Sequence, residues 1–88
     1  MDDDRLPTPR MIRAARGLVD MEQAKLGELV GVDRRTIIRL EADPTTPTNP
    51  RRIAVIAAIR DLLEKDHGVR FVYADRNTGE GVVMKRGC

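Results

Sequence analysis

Apolar residues recur at helical spacing near the start of the chain. Met11, Ala14, Ala15 and Leu18 stand at i, i+3, i+4 and i+7, which predicts one buried stripe. The preceding Pro9 suits the first turn of a helix, where its missing N–H costs nothing. We therefore predict a first helix that stops near residues 17–20.

A second helix is predicted from the spacing of Leu26, Leu29 and Val30, which would share one face. Its first residue is left open, because either Asp20 or Glu22 could cap it. The end of this helix is better defined, since the glycine that follows Val30 favours the left-handed conformation of a helix C-terminus.

The third helix is predicted to run from Arg34 to about Glu41, with Asp33 as its cap. Ile37 and Leu40, three residues apart, would face the core. A side chain opposite those two positions would then project outward.

The segment ADPTTPTNP predicts a loop, because its prolines cannot sustain a helix. Asn49 and Pro50 then mark the start of a fourth helix that ends at Gly68. This helix carries two apolar stripes, namely Ile53, Ile56 and Leu63, and Val55, Ile59 and Leu62. We therefore expect it to pack against two neighbours.

The period changes after the fourth helix. Val69, Phe71 and Tyr73 alternate with other residues, RNTG has turn composition, and EGVVMKR forms a second short run. The fold class predicted is mainly α, a compact domain of four helices with a C-terminal β-hairpin. We divide it into a flexible arm (1–9), a helical domain (10–68) and a hairpin (69–88) for dimerisation or partner binding.

Composition narrows the function classes. The formal net charge is only +2, so total charge does not indicate a nucleic-acid partner, although clustered arginines could form a basic face or an ordinary solvated one. The single cysteine, at position 88, excludes an internal disulfide, and no signal or membrane-spanning segment is evident. We expect a cytoplasmic protein.

The sequence favours neither catalysis nor a cofactor. It has no catalytic triad, paired catalytic carboxylates, phosphate-binding loop or dinucleotide fingerprint, and His67 lacks companions for a metal site. We expect no enzyme activity, no metal, no cofactor and no small-molecule substrate.

The segment QAKLGELVGVDRRTIIRLE, residues 23–41, has the spacing of a helix-turn-helix. Together with RAARGL in the first helix, it resembles the lambda-repressor-like, Xre-type family over about residues 10–63. The resemblance implies a DNA-binding transcriptional regulator, usually a homodimer, that places its third helix in the major groove of double-stranded DNA. In a dimer, two half-sites would lie about one helical turn apart.

The resemblance assigns base contact to Arg34, Arg35 and Arg39, with Ile38 beside them. The chemistry agrees, because a guanidinium matches guanine O6 and N7, and an apolar side chain can meet a thymine methyl. The resemblance also assigns phosphate contact to Gln23. Further residues expected to contact phosphate because of their position are Thr36, Thr45, Thr46, Arg51 and Arg52.

Residues away from the expected DNA contacts are assigned to the surface, to the support of the fold or to an interface. Arg10, Arg13 and Arg16 are expected to be surface charge, and Glu41 to brace the domain by hydrogen bonding. The residues expected at a dimer or partner interface are Phe71, Tyr73, Val82 and Met84.

A second function stays open beside DNA binding. The chain could be a protein-binding module, of the antiactivator or antitoxin kind, that uses the helix-turn-helix surface or the hairpin. Ile38 suits both functions, because an exposed apolar side chain fits a thymine methyl and a protein surface equally well.

Overall fold

A computed structural model of the protein describes residues 5–86. Within them the chain forms helices α1 (Pro9–Leu18), α2 (Gln23–Val30), α3 (Arg34–Ala42) and α4 (Pro50–Asp66), then strands β1 (Val69–Val72) and β2 (Gly81–Met84). The mainly α fold with a C-terminal hairpin is thus confirmed.

Side-chain caps explain where α1 and α4 begin. The Thr8 hydroxyl accepts a hydrogen bond from the Met11 amide at 3.3 Å. The Asn49 amide oxygen accepts from the amides of Arg51 at 2.8 Å and Arg52 at 3.3 Å. A proline follows each cap as the first helical residue. Both starts satisfy N–H groups that have no partner within the helix.

The core draws on the four helices and on β1. Its fully buried large side chains come from all four helices and the first strand: Ile12, Leu26, Ile37, Ile59, Leu63 and Val69. Burial of aliphatic side chains supplies most of the driving force in a chain with so few aromatic residues.

The buried face of α1 differs from the predicted stripe. Ala14 and Leu18 are exposed, Leu18 to 49%, whereas Ile12 is fully buried. The observed orientation of α1 buries Met11, Ile12 and Ala15 and brings Arg16 within hydrogen-bond distance of Glu41 on α3.

The predicted face of α2 also needs correction. Leu29 is exposed because α2 meets the following turn through Gly27, which centres the buried arc between Leu26 and Gly27. The open question of the cap is resolved in favour of Glu22, whose side chain makes no capping hydrogen bond.

The fourth helix packs against three elements, one more than the two neighbours predicted. Ile56, Ile59 and Leu63 are buried, and the remaining members of the two stripes are half-buried. The three elements are α1, α2 and β1.

The hairpin is antiparallel and joins the helical core. Its register pairs Val69 with Met84 and Phe71 with Val82. β1 packs on α4 and β2 on α1, so the sheet buries its inner face within the chain. That packing gives a two-stranded sheet the support it lacks in isolation.

The segment just before α1 also packs on the domain. The Arg5 guanidinium lies over the ring of Tyr73, 4.5 Å from its centroid, and the Arg5 carbonyl accepts from the Tyr73 hydroxyl at 3.1 Å. Arg60 donates to the same carbonyl at 3.2 Å, and Pro7 is buried. Residues 5–8 of the expected flexible arm are therefore docked, while residues 1–4 lie outside the described residues.

Candidate nucleic-acid interface

The angle between α2 and α3 is fixed by two glycines. A side chain at Gly27 would place its Cβ 2.7 Å from the Val32 carbonyl oxygen, so only glycine allows this close approach. The Val32 amide donates to the Gly27 carbonyl at 2.9 Å. Gly31 ends α2 with φ of 81°, a left-handed conformation that favours glycine. The turn therefore holds α3 in one orientation on α2.

The outer face of α3 carries the residues predicted to contact bases. Ile37 and Leu40 are buried beneath the helix, which turns Arg34, Arg35 and Arg39 outward. Within residues 5–86, the guanidinium groups of these three arginines hold no hydrogen bond and no salt bridge. They remain able to donate to an external acceptor.

Ile38 lies on the same face and is 38% exposed. It adds an apolar patch among the three arginines, so α3 presents both cationic donors and one methyl-rich surface. This combination matches the mixed chemistry of base edges in a major groove.

Asp33 caps the start of α3. Its carboxylate accepts from the Thr36 amide and from the Thr36 hydroxyl, both at 2.8 Å. These two hydrogen bonds lower the pKa of the Asp33 carboxyl below its usual value, and the charges of Arg35 and Arg39 lower it further. The Thr36 hydroxyl, predicted to contact phosphate, thus donates its only hydrogen to Asp33.

Gln23 occupies the first position of α2 but turns inward. Its amide nitrogen donates to the Glu41 carboxylate at 3.1 Å, and the residue is half-buried. One N–H of that amide remains for an external acceptor.

The loop after α3 is held by a second carboxylate. Asp43 accepts from the Thr45 hydroxyl at 2.6 Å, the Thr45 amide at 3.0 Å and Arg52 Nη1 at 2.8 Å. The Thr45 hydrogen bonds, followed by Arg52, lower the pKa of the Asp43 carboxyl. Arg52 also donates to the Arg39 carbonyl at 3.4 Å. Two of the residues predicted to contact phosphate, Thr45 and Arg52, therefore fix the loop.

Thr46 and Arg51 differ from those two residues. Both are exposed, and within residues 5–86 neither side chain forms a hydrogen bond or salt bridge. Arg51 lies at the start of α4, close to the loop that follows α3.

The bracing of α3 uses arginines that the sequence analysis treated as surface charge. Arg16 contacts both Glu41 carboxylate oxygens, through Nε at 2.6 Å and Nη2 at 2.8 Å. Arg13 donates to the Glu41 carbonyl at 2.6 Å. Glu41 is only 2% exposed, which confirms its bracing role. The sequence did offer a signal for these two arginines, because a carboxylate such as Glu41 that braces the domain from a buried position requires cations beside it.

The third arginine of α1 has a different partner. Arg10 forms a salt bridge with Glu80 at 2.6 Å, and the same carboxylate accepts from the Thr8 hydroxyl at 2.9 Å. The hairpin loop is thereby tied to the start of α1.

The residues predicted at an interface fall into two groups. Phe71 is 5% exposed and packs in the core, which leaves almost none of its side chain for a second protein, and the hydroxyl and ring of Tyr73 both contact Arg5. Val82 is half-buried and Met84 is 42% exposed, next to Val83 at 44%. Exposed apolar surface on the hairpin is thus concentrated at the end of β2.

Residues 5–86 hold no cluster of three or more histidine, cysteine or acidic side chains suited to a metal ion. Among the same residues, no helix has the length and apolar character needed to cross a membrane.

Comparison with known proteins gives one family match. The family model described as helix-turn-helix matches residues 12–60, which is more than half of the 88-residue chain. The match runs from α1 into α4 and leaves out the hairpin. No curated protein sequence matches the chain.

Proposed function

The chain belongs to the lambda-repressor-like, Xre-type helix-turn-helix family, a family of DNA-binding regulators, and we propose that it regulates transcription by sequence-specific binding of double-stranded DNA. The observation that carries the proposal is the outer face of α3. The side chains of its three arginines form no hydrogen bond and no salt bridge within residues 5–86, although the helix that carries them is fixed by a buried carboxylate and a glycine turn. Such a surface is rigid and has donors available, as base reading requires.

In this proposal α3 enters the major groove. Arg34, Arg35 and Arg39 are the candidates for bidentate contact with guanine O6 and N7. Each good pair discriminates against a wrong base by about 1–3 kcal/mol, so the site read by α3 should be rich in guanine. Ile38 is assigned to contact the methyl group of a thymine next to such a guanine.

Phosphate contact is assigned by the donors that remain. Arg51 and Thr46 have no hydrogen bond through their side chains within residues 5–86 and are placed first. Gln23 and Arg52 follow, because each retains an N–H beyond its contacts within the protein. The hydroxyls of Thr36 and Thr45 are placed last, since each already donates to an aspartate.

We also propose that the protein binds DNA as a homodimer joined through the end of β2. Val83 and Met84 are 44% and 42% exposed, and β2 has no described strand on its outer edge. Sedimentation velocity of the full chain should show a dimer that Met84→Glu dissociates. A monomer at all concentrations would overturn the dimer. Truncation of the hairpin is unsuitable here, because Val69 and Phe71 belong to the core.

Selection of bound duplexes from a random pool tests DNA recognition without assuming an operator. We expect enrichment of one guanine-containing motif, and fluorescence anisotropy should show the enriched duplex binding at least about a thousandfold more tightly than a scrambled one at physiological salt. Equal binding of the two duplexes would overturn sequence-specific recognition. A cytoplasmic location follows from the proposal, since the DNA of a bacterium or of a phage it carries lies there.

A protein-binding function is the second candidate, because Ile38 is 38% exposed on the face assigned to DNA. In this case the α3 face would hold an antiactivator or antitoxin partner. If Ile38→Asp abolished capture of a defined partner and left the affinity for the selected duplex unchanged, this candidate would replace base contact as the role of Ile38.

A further inference from the structure

A groove of about 800 Å³ separates α3 and the α2–α3 turn from the first half of α4. We call it the α3–α4 groove. Its volume lies in the range of surface clefts that bind ligands, about 300–1,000 Å³. Its floor is aliphatic and comprises Val30, Val32, Leu40, Ala54, Val55 and Ala58.

The rim of the α3–α4 groove is mainly cationic. Arg39, Arg51 and Arg52 line it, together with Asp33. Arg52 is bonded to a carboxylate, and Asp33 is bonded to its own helix start. Arg39 and Arg51 hold no salt bridge within residues 5–86, so the rim keeps two cations available.

Bound DNA would contact the cationic rim of the groove but would not cover its aliphatic floor. Phosphates and base edges can accept from Arg39 and Arg51, yet a sugar–phosphate backbone offers little apolar surface to cover the valines and alanines below. The groove therefore fits a ligand that combines an apolar face with negative charge.

We propose that the α3–α4 groove docks an acidic amphipathic helix of a partner protein, and that the docked helix competes with DNA because Arg39 lies on both surfaces. The competition with DNA rests on the proposed DNA-binding function. Docking of the acidic helix concerns the groove alone and holds whether or not DNA binds.

A helix fits the shape of this groove. Arg51, Ala54, Val55 and Ala58 stand at i, i+3, i+4 and i+7, and so form a straight stripe about 10 Å long on α4. Ala54 and Ala58 are exposed and short, which allows a second helix to approach closely. An apolar helix face laid into such a groove is a common mode of peptide recognition.

The charge of the rim determines which kind of partner helix the α3–α4 groove can bind. Carboxylates on the flanks of the docked helix would pair with Arg39 and Arg51 at the rim, whereas a basic helix would be repelled. A second copy of this chain docked by the same face would bring those arginines toward their own counterparts, which disfavours self-association there.

The test uses the full chain and two synthetic peptides of about 15 residues, stapled to hold a helix. One peptide has a leucine and alanine face flanked by glutamates, and its matched control has lysine at each glutamate position. Amide shifts of the isotope-labelled protein report docking. Displacement of the selected duplex, followed by anisotropy, reports competition.

We expect the acidic peptide alone to shift the amides of Val32, Ala54 and Ala58 and to displace the duplex. Ala58→Gln should weaken peptide binding by at least about tenfold and leave DNA affinity unchanged. Ala74→Gln, the same change at an exposed loop position, should alter neither.

Several outcomes would overturn the inference, and each is separable from failure of DNA binding. Absence of groove shifts with both peptides, or equal shifts with the lysine peptide, removes the acidic helix as the occupant. Groove shifts that follow protein concentration without peptide would assign the groove to a second copy. Docking without displacement of a duplex that does bind would remove the competition.

Discussion

Helices α1 and α3 carry three arginines each, and the two sets behave in opposite ways. Those of α1 bond within the chain, two of them to Glu41 and one to Glu80. Those of α3 hold no salt bridge within residues 5–86. The difference lies in their neighbours, because the arginines of α1 face acidic residues that accept their hydrogen bonds, whereas Asp33, which the charges of Arg35 and Arg39 influence, accepts hydrogen bonds from Thr36 instead. Similar residues therefore stabilise the fold in one helix and remain available for a ligand in the other.

The largest expected effect comes from Glu41→Ala. Loss of this carboxylate leaves the Arg16 guanidinium, whose side chain is 17% exposed, without a counter-charge. Removal of one member of a buried pair costs about 3–5 kcal/mol, so we expect a loss near that size in the free energy of unfolding, measured in urea.

Glu28→Ala is the matched control, because Glu28 has a side chain that is 73% exposed and only a long contact with Lys25 at 3.9 Å. Its change should stay within about 0.5 kcal/mol. Equal effects of the two substitutions would show that Glu41 does not brace α3.

The arginines of α3 should show the reverse behaviour. Arg34→Ala and Arg39→Ala should each cost about 1–3 kcal/mol of binding free energy for the selected duplex, because a bidentate base contact is lost. Their free energy of unfolding should change by no more than about 0.5 kcal/mol, since no side-chain hydrogen bond or salt bridge within the described residues is removed. A variant that lost stability instead would have a structural role like that of Arg16.

Arg51 and Arg52 extend the comparison to neighbouring residues at the start of α4. Arg51→Ala should lower DNA affinity for all sequences alike and reduce the slope of log affinity against log salt by about 0.9, the value for one phosphate contact. Arg52→Ala should also destabilise the fold, because Arg52 is bonded to Asp43 at 2.8 Å. An unchanged salt slope for Arg51→Ala would remove Arg51 from the interface.

The smallest effect is expected from acid titration of Asp33. Its folded-state pKa is lowered from its usual value, chiefly by hydrogen bonds from Thr36, so the unfolded chain binds this proton more readily. The stabilisation is therefore complete above the unfolded pKa and is lost as the pH falls through the folded pKa. The stability of wild type and Asp33→Asn, measured in urea, should converge as the solution is acidified. A constant difference across that range would contradict the assignment.

The sequence was a good guide where local chemistry decides structure. Gly31, Asp33 and Asn49 each mark a helix end through their own backbone or side chain, and the structure has the helix ends at those residues. The hairpin was equally predictable from its change of period.

The sequence was a poor guide where distant residues decide. Arg13 and Arg16 reach Glu41 across 28 and 25 positions of the chain, and no periodicity encodes this pairing. The buried face of α1 also depends on its packing against the rest of the fold, which buries Ile12 and leaves Leu18 exposed. Thr45 and Arg52 were predicted to contact phosphate from their positions in and just after the loop that follows α3. Their bonds to Asp43 depend on how that loop folds, which their positions do not reveal.

Reading of guanine by α3 is tested most directly by a double-mutant cycle with a modified base. The affinities of wild type, Arg34→Ala, Arg35→Ala and Arg39→Ala are measured for the selected duplex and for duplexes in which one guanine is replaced by 7-deazaguanine, which lacks the N7 acceptor. We expect that the affinity lost by the wild type at one modified guanine is not lost by one of the three variants, because the missing arginine is the residue that contacts that N7. The same loss in all four proteins, or no loss at any guanine, would contradict it.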